Sequence, residues 1–182
     1  MGDGFILLLG GARSGKSSLA ERLAATHQGE VSVLATAEAI DDDMSDRIAR
    51  HRHDRPDDWL TIEEPLHVAS AAGRATGCLI VDCMTVWLGN AMHHGWDEER
   101  ITGEVSALTS VLRSRPEPSV VVSNEVGLGI HPETALGREY RDILGRVNAR
   151  LAAASRESYF VVAGRVLRLD AVEPTLGGGL HG

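Results

Sequence analysis

The run Gly10-Gly11-Ala12-Arg13-Ser14-Gly15-Lys16-Ser17 satisfies the pattern G-x-x-x-x-G-K-[ST], the phosphate-binding P-loop. Its flanks fit the same reading. Phe5-Ile6-Leu7-Leu8-Leu9 reads as a buried strand, and Ser17–Ala25 reads as a helix with Leu19 and Leu23 one turn apart. The order has a physical reason. Glycines let the backbone curl until successive N–H groups point at one anion. A helix N-terminus adds partial positive charge behind them. Lys16 supplies a full charge for the β- and γ-phosphates, and the Ser17 hydroxyl can ligate Mg²⁺. The plainer alternative is a glycine turn that meets the pattern by chance, and the flanking strand and helix argue against it.

Composition narrows the field further. A chain of 182 residues with 43% hydrophobic content suits one globular domain with a sizeable core, here residues 1–182 with a loose tail over about 173–182. A formal charge of −8 offers no basic excess for a nucleic-acid partner. Cys78 and Cys83 flank a predicted strand without metal spacing, so they read as free thiols in a reducing compartment. No apolar run approaches membrane-spanning length, and the N-terminus lacks a signal-peptide pattern. The expectation is a soluble, cytoplasmic protein.

Apolar runs alternate with helical patterns. The strand candidates are Phe5–Leu9, Val31–Ala35, Cys78–Val81, Ser119–Ser123 and Tyr159–Ala163. Ile101, Val105, Leu108 and Leu112 form one helical stripe, and Leu136, Tyr140, Ile143, Val147 and Leu151 form another. This alternation predicts an α/β fold with a mostly parallel sheet, helices on both faces and right-handed crossovers. The active site then belongs at the carboxyl ends of the strands.

Three further stretches carry chemistry. Cys78-Leu79-Ile80-Val81-Asp82 is an apolar strand ending in a carboxylate, where a P-loop protein places its Mg²⁺-orienting acid; the bland alternative is a turn cap. In residues 41–56, Asp41, Asp42 and Asp43 give a helix start its negative charge and Pro56 ends it. Met44, Ile48 and His51 share one face there. An imidazole among Arg50, Arg52 and Arg55 is placed to meet an anion, and the arginines favour its neutral, nucleophilic form. Spacing alone favours the plainer reading of His51 as a packed core histidine, with the arginines as a solvated face. After the strand Val120-Val121-Val122, Ser123-Asn124-Glu125 is followed by a turn through Gly127 and Gly129, where Asn124 and Glu125 could bind a substrate hydroxyl or amide, or simply shape the loop. Thr36 ends the second strand at the same edge. His67, His93 and His94 have no second ligand at metal spacing, and Trp59, Trp87 and Trp96 read as core or interface.

Taken together, these residues resemble a known family. The P-loop, Ala35-Thr36-Ala37, Asp42-Asp43-Met44 with Arg47-Ile48, His51 with Arg55-Pro56 and Trp59, and Val81-Asp82-Cys83-Met84-Thr85 all carry the likeness. So do Ser123-Asn124-Glu125-Val126-Gly127 with Gly129-Ile130 and Pro132, and Arg141-Asp142 with Gly145-Arg146-Val147-Asn148. In order, from about Ile6 to Gly164, they are similar to the bifunctional adenosylcobinamide kinase/adenosylcobinamide-phosphate guanylyltransferase of cobalamin synthesis. The resemblance implies a RecA-like P-loop NTPase fold and a homotrimer. It implies ATP or GTP phosphorylating adenosylcobinamide, then GMP transfer from GTP to adenosylcobinamide phosphate through a guanylyl-histidine. That histidine would be His51. The implied nucleotide contacts are Gly10, Gly11, Ala12, Arg13, Ser14, Gly15, Lys16, Ser17, Thr36, Ala37, Glu38, Arg52, His53, Asp54, Arg55, Glu63 and Asp82, with Mg²⁺ held through Ser17 and Asp82. A different small-molecule P-loop kinase would leave His51 and the Asn124-Glu125 turn without a task. A GTPase switch would need an Asn-Lys-x-Asp guanine motif and an Asp-x-x-Gly after the Asp82 strand, and neither is found there; an inert nucleotide-binding protein is the remaining rival.

Overall fold

The computed structural model describes residues 4–38 and 55–171. Chain order among these residues is β1 (Phe5–Gly10), α1 (Lys16–Ala24), β2 (Val31–Ala35), β3 (Leu60–Glu63), α2 (Val68–Arg74) and β4 (Cys78–Asp82). Then come α3 (Met84–His93), α4 (Glu98–Ser114), β5 (Ser119–Val122), α5 (Ala135–Ala154), β6 (Glu157–Val162) and β7 (Arg165–Leu169). The strands form one sheet in the order β3-β2-β4-β5-β1-β6-β7. Every pairing is parallel except β6 with β7, which is an antiparallel hairpin. The strongly apolar runs of β1, β4 and β5 lie in the middle, as strands buried on both faces must.

Strand periodicity divides the core in two. Phe5, Leu7, Leu9, Leu79, Val81 and Val121 point to one face, where α2, α3, α4 and α5 cover them. Leu8, Ile80, Val120 and Val122 point to the other, against Ala20 and Ala24 of α1. The stripe Ile101, Val105, Leu108 and Leu112 on α4 is fully buried, as its spacing predicts. On α5 the stripe holds from Ile143 onward, but Leu136 in its first turn is 65% exposed. Trp87 and Trp96 are core residues meeting edge to face, and Trp87 donates its indole N–H to the Leu66 carbonyl at 2.8 Å. Arg115 is buried, and its guanidinium donates to the carbonyls of Ala72, Ala75 and Gly77 and to the Ser119 hydroxyl, which ties the end of α2 to the start of β5.

Candidate functional site

Sheet register brings the candidate residues to one edge. Glu63, Ala35, Asp82, Val122, Leu8 and Tyr159 lie in one continuous cross-strand row, so β3, β2, β4 and β5 end level, while β1 and β6 run on past the row to Gly10 and Val162. The P-loop leaves β1 just beyond that row, and α1 starts at Lys16. Two glycines there are required by geometry. A Cβ on Gly10 would lie 2.2 Å from the Val161 carbonyl oxygen, and Gly15 holds φ +100° at the N-cap of α1. The loop is fastened from both sides. Glu125 N–H donates to the Gly10 carbonyl at 3.0 Å, and Gly164 N–H donates to the Ser14 carbonyl at 2.9 Å. Gly11, Ala12 and Arg13 form its exposed outer arc, with Arg13 at φ +56°.

Lys16 folds back across this arc, donating to the Gly11 carbonyl at 2.7 Å and more weakly to Ser14 Oγ at 3.4 Å. Only 6% of it is exposed. Burial pulls its pKa below the ordinary lysine value, against the opposing pull of Cys83 and Asp82. The ammonium is therefore a desolvated charge bonded to neutral acceptors, poised for an anion. From the first turn of α1, Ser17 Oγ faces Asp82 Oδ1 across 3.4 Å. This pair, at the start of α1 and the tip of β4, offers the oxygen donors that Mg²⁺ takes when it also binds phosphates. Among the described residues, no cluster of three or more His, Cys, Asp or Glu forms a metal site of its own.

Thr36 takes a different part from a surface contact. It is fully buried, accepting from Cys83 N–H at 3.0 Å and donating to the Cys83 carbonyl at 2.8 Å. Asn90 on α3 donates to the Thr36 carbonyl at 2.7 Å. Thr36 thus locks the exit of β2 to the turn after Asp82. Ala37 is half-buried beyond it, and Glu38 meets His94 Nε2 at 3.1 Å. Glu63 is exposed at the end of β3, and Arg55 reaches Thr61 Oγ1 at 3.4 Å. His51, Arg52, His53 and Asp54 lie outside the described residues.

A network that spacing did not reveal supports the end of β5. Asn148 on α5 accepts from Ser123 Oγ at 2.7 Å and donates to the Asn124 carbonyl at 2.9 Å. Thr85 Oγ1 accepts from Asn124 N–H at 2.7 Å, and Tyr140 donates its hydroxyl to the Thr85 carbonyl at 2.8 Å. Burial raises the Tyr140 phenol well above its usual range, so it stays a proton donor. Glu125 then folds over the turn, accepting from Gly127 N–H at 2.6 Å. Both thiols are free, and burial raises the pKa of Cys78 and of Cys83, which favours inert thiols. No helix among the described residues is long and apolar enough to cross a membrane.

A family model described as cobinamide kinase/cobinamide phosphate guanyltransferase matches residues 6–169. The bifunctional adenosylcobalamin biosynthesis protein CobP of Pseudomonas aeruginosa is 47% identical over 161 residues, covering 87% of this chain and 92% of the relative. The corresponding CobU of Escherichia coli is 39% identical over 174 residues, covering 87% and 96%. Among solved structures, flagellar accessory protein FlaH from Methanocaldococcus jannaschii superposes with TM-score 0.53 at 12% identity, covering 91% of this chain and 75% of its own. The RadB recombinase superposes with TM-score 0.51 at 12% identity, covering 87% and 74%. These two likenesses concern the fold alone, which is that of the P-loop NTPases.

Proposed function

The chain belongs to the cobinamide kinase/cobinamide phosphate guanyltransferase family, and from that premise we propose that one nucleotide site on it serves both reactions. The observation that carries this reading is the buried Lys16 at a fastened P-loop, with Ser17 and Asp82 facing each other beside it. In the kinase step the aminopropanol hydroxyl of adenosylcobinamide attacks the γ-phosphorus of ATP or GTP. The bond to the bridging oxygen breaks, the nucleoside diphosphate leaves, and the hydroxyl proton passes to solvent or a nearby carboxylate. Little covalent help is needed; position and charge neutralisation do the work. Lys16 and the P-loop N–H groups hold the β- and γ-phosphates.

In the transferase step the nucleophile must reach the α-phosphorus instead. A neutral imidazole serves better than a phosphate ester, and His51 is the residue this reading assigns. Its nitrogen bonds the α-phosphorus, pyrophosphate leaves, and a guanylyl phosphoramidate forms. An oxygen of adenosylcobinamide phosphate then attacks that phosphorus, releases the imidazole and yields adenosylcobinamide-GDP. The P-loop that held the transferred phosphate in the first step now stabilises the leaving pyrophosphate. Ser17 and Asp82 would hold Mg²⁺, whose chemistry is to neutralise phosphate charge. Arg52, His53, Asp54, Arg55, Glu38 and Glu63 are assigned to the nucleotide on the strength of the family pattern, and a homotrimer is part of the same reading.

The test is mass spectrometry after incubation with GTP and Mg²⁺. Wild-type protein should gain one acid-labile GMP on His51. The variant His51→Ala should carry none, lose guanylyl transfer and keep measurable kinase turnover. GMP still bound covalently to that variant sinks the assignment.

A further inference from the structure

The loop after β5 stands out because it exposes what a soluble protein ordinarily hides. Leu128 is 78% exposed and Ile130 is 97% exposed, on the short run Val126-Gly127-Leu128-Gly129-Ile130-His131-Pro132. Single exposed aliphatic residues are common, but this pair sits on a loop built to stay in place. Its start is fixed to the phosphate cradle through Glu125 N–H and the Gly10 carbonyl. Its far end is fixed by α5. Arg138 donates to the carbonyls of Pro132 and Glu133 at 3.0 and 2.7 Å, and Arg141, braced by Asp142, reaches His131 Nδ1 at 2.8 Å. The apolar crest is thus held out beside the P-loop by polar anchors at both ends.

We propose that Leu128 and Ile130 form the docking surface for the corrinoid acceptor, packing against a face of its ring while the polar end of the loop meets its amide rim. This rests on the activity proposed above and adds where the acceptor sits. Two observations favour this occupant. The loop is continuous with the site that holds the transferable phosphate, so a ring seated there can extend its hydroxyl arm to the γ-phosphorus. The crest is apolar and its base polar, as a corrin face edged with amides requires. In this arrangement Leu128 and Ile130 determine acceptor specificity and leave the nucleotide alone.

The double variant Leu128→Ser/Ile130→Ser tests this, since both residues are surface positions and the fold does not depend on them. Equilibrium dialysis with cobinamide, followed by its own absorbance, reads acceptor binding directly. Kinase kinetics at saturating nucleotide read KM and kcat. The expected result is a rise of about tenfold or more in the Kd and KM for cobinamide, with GTP affinity and assembled mass by light scattering unchanged. Unchanged cobinamide affinity overturns the proposal. So does a fall in assembled mass, which would make the crest a contact between copies. Wild-type protein that turns cobinamide over with the same KM as the variant sinks the docking surface alone. Wild-type protein that neither binds nor phosphorylates cobinamide sinks the activity as well.

Discussion

The P-loop and the loop after β5 lie side by side and follow opposite rules. Lys16 in the first is 6% exposed, and its ammonium and the loop carbonyls are already bonded. Ile130 in the second is 97% exposed and has nothing over it among the described residues. The difference follows from what each would hold. A phosphate must be met by dipoles already aimed, because reorganising them in a dry site is expensive. An apolar surface needs no aiming, only a partner that removes it from water. One wall of the site is complete before any ligand arrives, and the other is half of a contact.

The strongest way to break this contrast is Lys16→Ala. It should lower kcat/KM for nucleotide by about 10²–10³-fold in both reactions, while cobinamide binding by dialysis stays near wild type. Equal loss of both would mean the two walls are one cooperative unit. Thr36→Val comes next and concerns rigidity. Removing its hydroxyl leaves the Cys83 N–H unpaired, while the Cys83 carbonyl keeps the Trp87 N–H, at a cost of about 1–3 kcal/mol. For a chain of this size that is a fall of roughly 2–12 °C in Tm. KM for GTP should move little; a rise in KM at unchanged Tm would make Thr36 a nucleotide contact and not a lock.

The smallest effect is on pH. Burial lowers the Lys16 pKa, so in the ligand-free protein its charge is lost at lower pH than an ordinary lysine's. GTP affinity should therefore decline with rising pH before free lysine titrates. Stability moves the other way. Between the folded and unfolded pKa values the unfolded chain binds more protons, so this group adds stability as pH rises. Titrating GTP binding and Tm over the same alkaline range checks both signs, and parallel declines would contradict the buried, strained charge.

The central sheet was readable because its strands are apolar on both faces and the P-loop fixes their direction. Where the structure goes beyond that reading, burial explains why. β3 is a four-residue edge strand with exposed ends, and β7 is exposed throughout, so neither shows the contrast that periodicity detects. The helix α3 follows β4 after a single residue and is apolar around most of its surface, which hides its stripe. At the site, Lys16, Ser17 and Asp82 were legible from spacing because their chemistry is local to a motif. The supports were not. Asn148 reaches Ser123 and Asn124 from 24–25 positions away, and Asn90 reaches Thr36 from 54. Such pairs exist only once the sheet order is known.

The position of β1 also bears on how the molecule is made. Its two neighbours in the sheet are β5 and β6, and the Ser14 carbonyl is met by Gly164. A nascent chain with only the first half of this sequence out of the ribosome carries the phosphate motif without either flanking strand. Ribosomal synthesis is vectorial, so the nucleotide cradle is made before the two strands that complete it. Until β5 and then β6 have emerged, the apolar strand β1 behind it lacks its sheet partners, which exposes it to the wrong contacts that chaperones prevent.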